Sequence, residues 1–284
     1  MHVFLTGASG YVGHALLTRL TADGHRVTAL ARSDAAADRI ALAGGEVRRG
    51  DLGDSNVLRA AAADADVVVH TAIDYTDPGM GDLDAAALDA LLGHGAFVYT
   101  STTLVYGNTG DRPATEDAPV ANKALQPYKV DGERRVLATG GVVLRAALVY
   151  GRGGSTMING LLASARATGA STYIGDGANA WSTVHVDDLV DLYLRVLAQP
   201  PAPQVLNAAG DAVTMAAIAA AVGRATGTPA VSVALEQARE AMGPFADQLT
   251  REMVVDSSRA AELLGWKPQA PGLVDDLTTG SYAT

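Results

Sequence analysis

Apolar and polar positions run through the first half of the chain on two periods. Short apolar, β-branched runs recur at His2–Leu5, Arg26–Leu30, Glu46–Arg48, Val67–His70, Phe97–Thr100 and Gly141–Leu144. Between them lie Ala- and Leu-rich stretches at helical spacing, among them Val57–Ala63 and Leu83–Leu92. Strands of this kind, separated by helices, predict a parallel sheet covered on both faces, the doubly wound α/β architecture of the Rossmann type. After Gly151-Arg152-Gly153-Gly154 the elements shorten and proline-bearing loops appear, at 200–203 and at Thr228-Pro229. That change predicts a core over residues 1–151 and a smaller lobe over 152–284, with elements at about 184–210 returning to the core.

Composition narrows the classes. A chain of 284 residues, 48% apolar and 18% charged, can bury a sizeable globular core. A net charge of −10 argues against nucleic acid as a partner, because phosphate binding needs clustered Lys and Arg. With no cysteine, disulfides, thiolate nucleophiles and cysteine-held metals are excluded. No His/Asp/Glu group has metal-ligand spacing, so no metal is expected. No apolar run is long enough to cross a membrane. The chain opens straight into a strand without a basic-then-apolar segment, which predicts no signal peptide and a cytoplasmic location.

The candidate chemistry begins at Thr6-Gly7-Ala8-Ser9-Gly10-Tyr11-Val12-Gly13, between the apolar run Val3-Phe4-Leu5 and the helix-compatible segment His14–Leu20. A strand, a glycine turn and a helix start bring backbone N–H groups and a helix dipole to one point, which suits a pyrophosphate. Gly7 permits the tight turn, Gly10 lets the backbone approach phosphates, and Gly13 lets helix and strand pack closely. Ser9, Tyr11 and Val12 belong to the same candidate cofactor-binding turn.

The spacing Thr6-Gly7-x-x-Gly10-x-x-Gly13 resembles the loop of the extended short-chain dehydrogenase/reductase family, which contains nucleotide-sugar epimerases, dehydratases and carbonyl reductases. The resemblance covers nearly the whole chain. Residues 98–107 (Val-Tyr-Thr-Ser-Thr-Thr-Leu-Val-Tyr-Gly) are similar to the family's active-site strand, and 144–151 to the segment that passes the nicotinamide. Val184-His185-Val186-Asp187-Asp188-Leu189, Asp256-Ser257-Ser258-Arg259 and Leu264-Gly265-Trp266-Lys267-Pro268 match the later signatures.

The end of the second strand tests which dinucleotide is held. NAD enzymes place an acid there for the ribose hydroxyls, and an Arg accommodates the 2′-phosphate of NADP. Here the acidic position is Ala31, followed by Arg32 and Ser33. NADP(H) is therefore the expected cofactor, unless Arg32 is only a solvated loop charge. Asp51 and Leu52 resemble the adenine-contacting segment, though Asp51 could instead cap the helix starting near Ser55. Thr71 and Ala72, after His70, are expected under the cofactor ribose. His70 reads equally as packing or as catalytic.

The resemblance implies a Ser or Thr that orients substrate, a Tyr that exchanges a proton with it, and a Lys four residues after the Tyr. Thr102 takes the first place and Tyr128 the second, but the residue four beyond Tyr128 is Gly132. A cation is what lowers a phenol's pKa, since burial alone raises it. Lys129 stands next to Tyr128, and on a helix an adjacent residue points elsewhere than an i+4 residue. Either the helix brings Lys129 round or the lysine's role has been dropped. Three readings follow: an NADPH-dependent ketone or aldehyde reductase using Tyr128 and Thr102; a redox-neutral cyclase, isomerase or lyase with Asp74 as candidate base; and a non-catalytic NADP-binding sensor.

Nucleotide-sugar members carry an Arg four residues before the position of His185, where this chain has Trp181. An indole has no charge with which to clamp a diphosphate, so a smaller, flatter or more apolar substrate is expected; Trp181 itself reads equally as core or as a pocket residue. Asp74 and Tyr75 lie where the switch-point crevice should open, Asp74 reading also as a loop cap. His185 could line the same pocket or pack at a helix start. Asp187 and Asp188 are expected to cap a helix over Leu189–Ala198, and Tyr75–Asp82 to form a loop over the crevice. Asn122 and Lys123 read as solvated surface. The family's habit of pairing through two helices implies a homodimer through Leu83–Leu92 and Tyr128–Thr139.

Overall fold

The computed structural model describes residues 1–74, 76–121 and 126–283. The chain alternates β1 (His2–Thr6), α1 (Tyr11–Ala22), β2 (Arg26–Ala31), α2 (Asp34–Leu42), β3 (Glu46–Arg49), α3 (Ser55–Ala63), β4 (Val67–His70), α4 (Met80–Leu91), β5 (Ala96–Thr102), α5 (Pro127–Ala138) and β6 (Val142–Ala146). There follow β7 (Leu148–Tyr150), α6 (Thr156–Thr168), β8 (Ser171–Ile174), β9 (Ala180–His185), α7 (Val186–Ala198), β10 (Gln204–Ala208), β11 (Ala212–Thr214) and α8 (Met215–Thr226). The large sheet has the order β10-β6-β5-β4-β1-β2-β3, with every neighbouring pair parallel. Its order reverses between β1 and β4, and a crevice opens at such a point beyond the carboxyl ends of the strands.

Side-chain alternation divides this sheet's contacts between two helical layers. Val3 and Leu5 of β1 join Leu16, Leu17 and Leu20 of α1 and Leu189 and Val190 of α7, whereas Phe4 joins Leu58 of α3 and Leu88 and Leu91 of α4. Val69 and Val98 face the first layer, and Val68, Phe97 and Tyr99 the second. The apolar runs are unbroken because both faces are covered.

Residues 204–208 return to the large sheet as β10, while β7, β9 and β11 form a separate three-stranded sheet. Trp181 of β9 is buried in the smaller lobe with Tyr150, Ile158, Met215 and Leu277. The segment expected as a loop up to Asp82 is helical from Met80, where the apolar stripe Met80, Ala87, Leu88, Leu91 begins. Helix α7 begins three residues before the expected Leu189, and its cap is His185, not Asp187 or Asp188. His185 Nδ1 accepts the Asp187 amide, and the Asp188 carboxylate turns to the amides of Gln269 and Ala270. Those acids instead favour the dipole from the first turn.

Helix α5 starts with Pro127 at its first position, where a missing N–H costs nothing. Its buried face carries Lys129, Gly132, Glu133 and Val136. Glu133 accepts from Ser101 Oγ of β5 and from Arg145 Nε of β6 at 2.9 Å, with Arg145 Nη2 completing a paired fork. Both charges are almost fully buried, at 3% and 5% exposure, so removing one strands the other. Glu133→Ala is expected to cost about 3–5 kcal/mol of stability, read from urea unfolding against wild type.

Candidate active site

The glycine turn is built by backbone contact. Gly7 has φ +76°, and its carbonyl accepts the Gly10 amide at 2.9 Å. A Cβ on Gly13 would lie 2.2 Å from that carbonyl oxygen and 2.7 Å from Thr71 Oγ1. Thr71 Oγ1 donates to the Thr6 carbonyl at 2.8 Å, locking the β4 end against the β1 end. A Cβ on Gly7 would meet the Ala72 amide at 2.7 Å, so Thr71 and Ala72 sit against the turn. Gly10 caps α1 without a side-chain bond, and no acid lies in the helix's first turn. The leading N–H groups are thus left to an anion, as a dinucleotide pyrophosphate requires. Ser9 and Val12 are half-buried beside them.

Tyr11 leans out of the turn toward the smaller lobe. Its hydroxyl donates to the Gly151 carbonyl at 2.7 Å, and Gly154 is free of a Cβ where the Tyr11 ring lies. Burial, reinforced by Tyr282, raises the phenol's pKa, so it remains protonated.

At the end of β2, Arg32 projects into solvent with its side chain 74% exposed and one nitrogen 3.5 Å from Asp74. Ser33 caps α2, its Oγ accepting the Ala36 amide at 3.2 Å. A hydroxyl that accepts there still has its proton to donate. Asp51 does not cap α3: its Oδ1 accepts the Gly53 amide at 2.7 Å, and its own amide is held by Asp54. Leu52 packs against the core on the α3 side.

Three of the substrate candidates have other employment. The Trp181 indole is buried and its N–H donates to the Arg251 carbonyl, so it lies in the core of the smaller lobe and not in the crevice. His185, besides capping α7, stands edge-on to Tyr150 and fills the space left by Gly151. Asp74 accepts from the Thr76 hydroxyl and amide at 2.6 and 3.0 Å, which with Arg32 holds its pKa below the ordinary carboxylate value. A carboxylate so stabilised is a weak base, and Asp74 is a loop cap. Tyr75, Asn122 and Lys123 lie outside the described residues.

Thr102 ends β5, its Oγ1 accepting the Leu104 amide at 3.2 Å. Tyr128 lies half-buried in the first turn of α5, alongside Gly81 of α4. At Gly132 a Cβ would fall 2.5 Å from the Tyr99 hydroxyl, so the place of an i+4 side chain belongs to Tyr99. The lysine that enters is Lys129. It is only 2% exposed, and its Nζ is 4.4 Å from the Tyr99 ring centroid and 5.4 Å from that of Tyr128. Because Gly132, Glu133 and Val136 face the sheet, Lys129 at i−3 and i−4 from the first two must face it too. Four residues before Lys129 stands Leu125, outside the described residues.

Around Lys129 is a buried polar cluster. Asp84 of α4 accepts from Lys129 Nζ at 3.2 Å, from the Tyr99 hydroxyl at 2.6 Å and from His70 Nε2 at 3.3 Å. His70 Nδ1 is 2.6 Å from Thr6 Oγ1. Since Asp84 needs a donor, the proton is assigned to Nε2, and Nδ1 accepts from Thr6. Burial pushes the Asp84 pKa up, but the His70 bond, the Lys129 charge and the Tyr99 bond together hold it down to about 2. Neither Asp84 nor Tyr99 was a sequence candidate. An acid on the apolar stripe of α4 was the available signal.

The chain belongs to the NAD dependent epimerase/dehydratase family, which it matches over residues 3–209. It is 30% identical to an uncharacterized protein of Saccharomyces cerevisiae, over 98% of each chain. It is also 30% identical to a 2-alkyl-3-oxoalkanoate reductase of Stenotrophomonas maltophilia, over 66% of this chain and 62% of that one. A dTDP-glucose 4,6-dehydratase from Streptomyces venezuelae, solved as a double mutant with NAD and DAU bound, superposes with a TM-score of 0.82 at 21% identity, covering 99% of this chain and 96% of that one. Among the described residues no helix is long and apolar enough to cross a membrane, and no group of His, Asp and Glu could hold a metal.

The depressed Asp84 pKa carries a pH signature. A lowered folded value stabilises above the unfolded value near 4, and the gain is lost as pH falls toward 2. The stability gap between wild type and Asp84→Asn should narrow by about 2 kcal/mol over that interval, as followed by urea unfolding at a series of pH values.

Proposed function

We propose that the protein reduces a ketone or aldehyde on a small, non-nucleotide substrate with NADPH, Tyr128 giving the proton and Thr102 orienting the carbonyl. The observation that carries this reading is Lys129, whose buried ammonium stands 5.4 Å from the Tyr128 ring. A cation beside a phenol favours the phenolate and so eases loss of its proton. Lys129 thus stands in from the next position in the chain for the lysine absent at Gly132. The named activity of the Stenotrophomonas relative, a ketone reductase, agrees with this chemistry.

The turn at Gly7, Ser9, Gly10, Tyr11 and Val12 would hold the pyrophosphate, Asp51 and Leu52 the adenine, and Thr71 and Ala72 the ribose. Bound there, the cofactor supplies hydride. Arg32, exposed and held by Asp74 only at 3.5 Å, is free to turn to a 2′-phosphate, with Ser33 as a second donor. The substrate is read as non-nucleotide because the clamp position carries Trp181, an uncharged core residue. The redox-neutral alternative works through other acid–base groups, with Asp74 as its candidate base, and the Thr76 bonds weaken that candidate.

Wild type should oxidise NADPH in the presence of some members of a carbonyl panel, followed by nicotinamide absorbance. Tyr128→Phe should lower kcat by roughly 10²–10⁴-fold. Arg32→Ala should weaken NADPH about tenfold or more while leaving NADH nearly unchanged, by fluorescence titration. An enzyme that binds NADPH and reduces nothing in the panel, or a Tyr128→Phe variant with full activity, defeats the reading. We also propose a cytoplasmic homodimer joined through α4 and α5. Light scattering should give twice the chain mass, and a monomer refutes that part.

A further inference from the structure

Lys129 is surrounded by groups from four elements. Asp84 of α4 touches its ammonium, and Tyr99 of β5 lies under it. From α5 itself come Tyr128 and Glu133, and from β4 comes His70, acting through Asp84. Burial favours the neutral amine, while Asp84 and then Glu133 oppose it. Glu133 is already committed to Arg145 and Ser101. Asp84 is therefore the carboxylate whose charge answers the ammonium. Its own geometry is fixed from the far side: Tyr99 occupies Oδ2, and His70, tied to Thr6 beside the glycine turn, shares Oδ1 with Lys129.

We propose that Asp84 is a positioning residue for Lys129, holding the ammonium charged and in place beside Tyr128. It touches neither substrate nor cofactor and acts through the lysine. The proposal rests on the reading of Tyr128 as proton donor, yet its first test needs no activity. The chain has three lysines, Lys123, Lys129 and Lys267, so carbon-labelled lysine yields three ε-methylene signals for NMR. Lys129 is assigned by the signal missing from Lys129→Met. In wild type it should titrate as a charged amine through neutral pH despite its burial. In Asp84→Asn its midpoint should fall by at least about one unit while the other two stay put. The alkaline limb of kcat should move down with it, and KM should change less than kcat.

A Lys129 already neutral at neutral pH in wild type overturns the proposal, and that measurement requires no Asp84 variant to fold. So does a midpoint unmoved in Asp84→Asn. A lower melting temperature with an unmoved pH–rate profile shows Asp84 to be merely structural, and also overturns it. If wild type reduces no carbonyl, the reductase reading fails, and the NMR titration still decides whether Asp84 holds the lysine.

Discussion

The absence of a side chain at Gly132 is the constraint on which the site depends. A Cβ there would fall 2.5 Å from the Tyr99 hydroxyl, and Tyr99 is fully buried and tied to Asp84. The glycine costs about 1 kcal/mol of helix propensity relative to alanine. In exchange α5 lies close on β5, with one face turned to the sheet. Once that face is set, Lys129 and Glu133 must both enter the interior, because they share it one turn apart. What the sequence presents as a missing lysine is, in the folded chain, a lysine entering one position after Tyr128.

Bringing two cations under a helix demands two anions, since an unpaired buried charge is far costlier than a pair. The interior answers with Asp84 for Lys129 and Glu133 for Arg145. His70 bridges Asp84 and Thr6. The clusters reach the carboxyl ends of β1, β4 and β5, the strands that flank the crevice and carry the glycine turn and Thr102. Among the described residues these groups are partnered except at Arg145 Nη1, and polar groups so held keep one geometry, which suits a site whose reacting atoms must be placed closely.

The doubly wound core was legible because buried parallel strands write themselves as short apolar runs. Each strand predicted in the first half is present, with ends shifted by a residue or two where hydrogen bonding outlasts the apolar run. The glycine turn was legible for a related reason: backbone contacts at Gly7 and Gly13 leave no room for another residue. Single polar side chains were harder. Trp181, His185 and Asp74 all read as crevice candidates, and all three have their polar groups engaged by backbone or by neighbours in their own region of the fold. Asp84 interrupts an apolar stripe, but the chain does not say which polar groups face that stripe.

By itself the sequence determined the class of fold, the glycine turn between β1 and α1 and the basic character at the end of β2, since these follow from local periodicity, backbone sterics and one residue's charge. Only the tertiary structure decided where the Lys129 side chain goes. Its burial, and its place between Tyr99, Tyr128 and Asp84, depend on elements distant in sequence: α4, β5 and α5 converge at 84, 99 and 129. Whether a charged side chain is solvated or held is a property of that convergence. Local patterns end at the helix face, and electrostatics in the interior is settled by what packs against it.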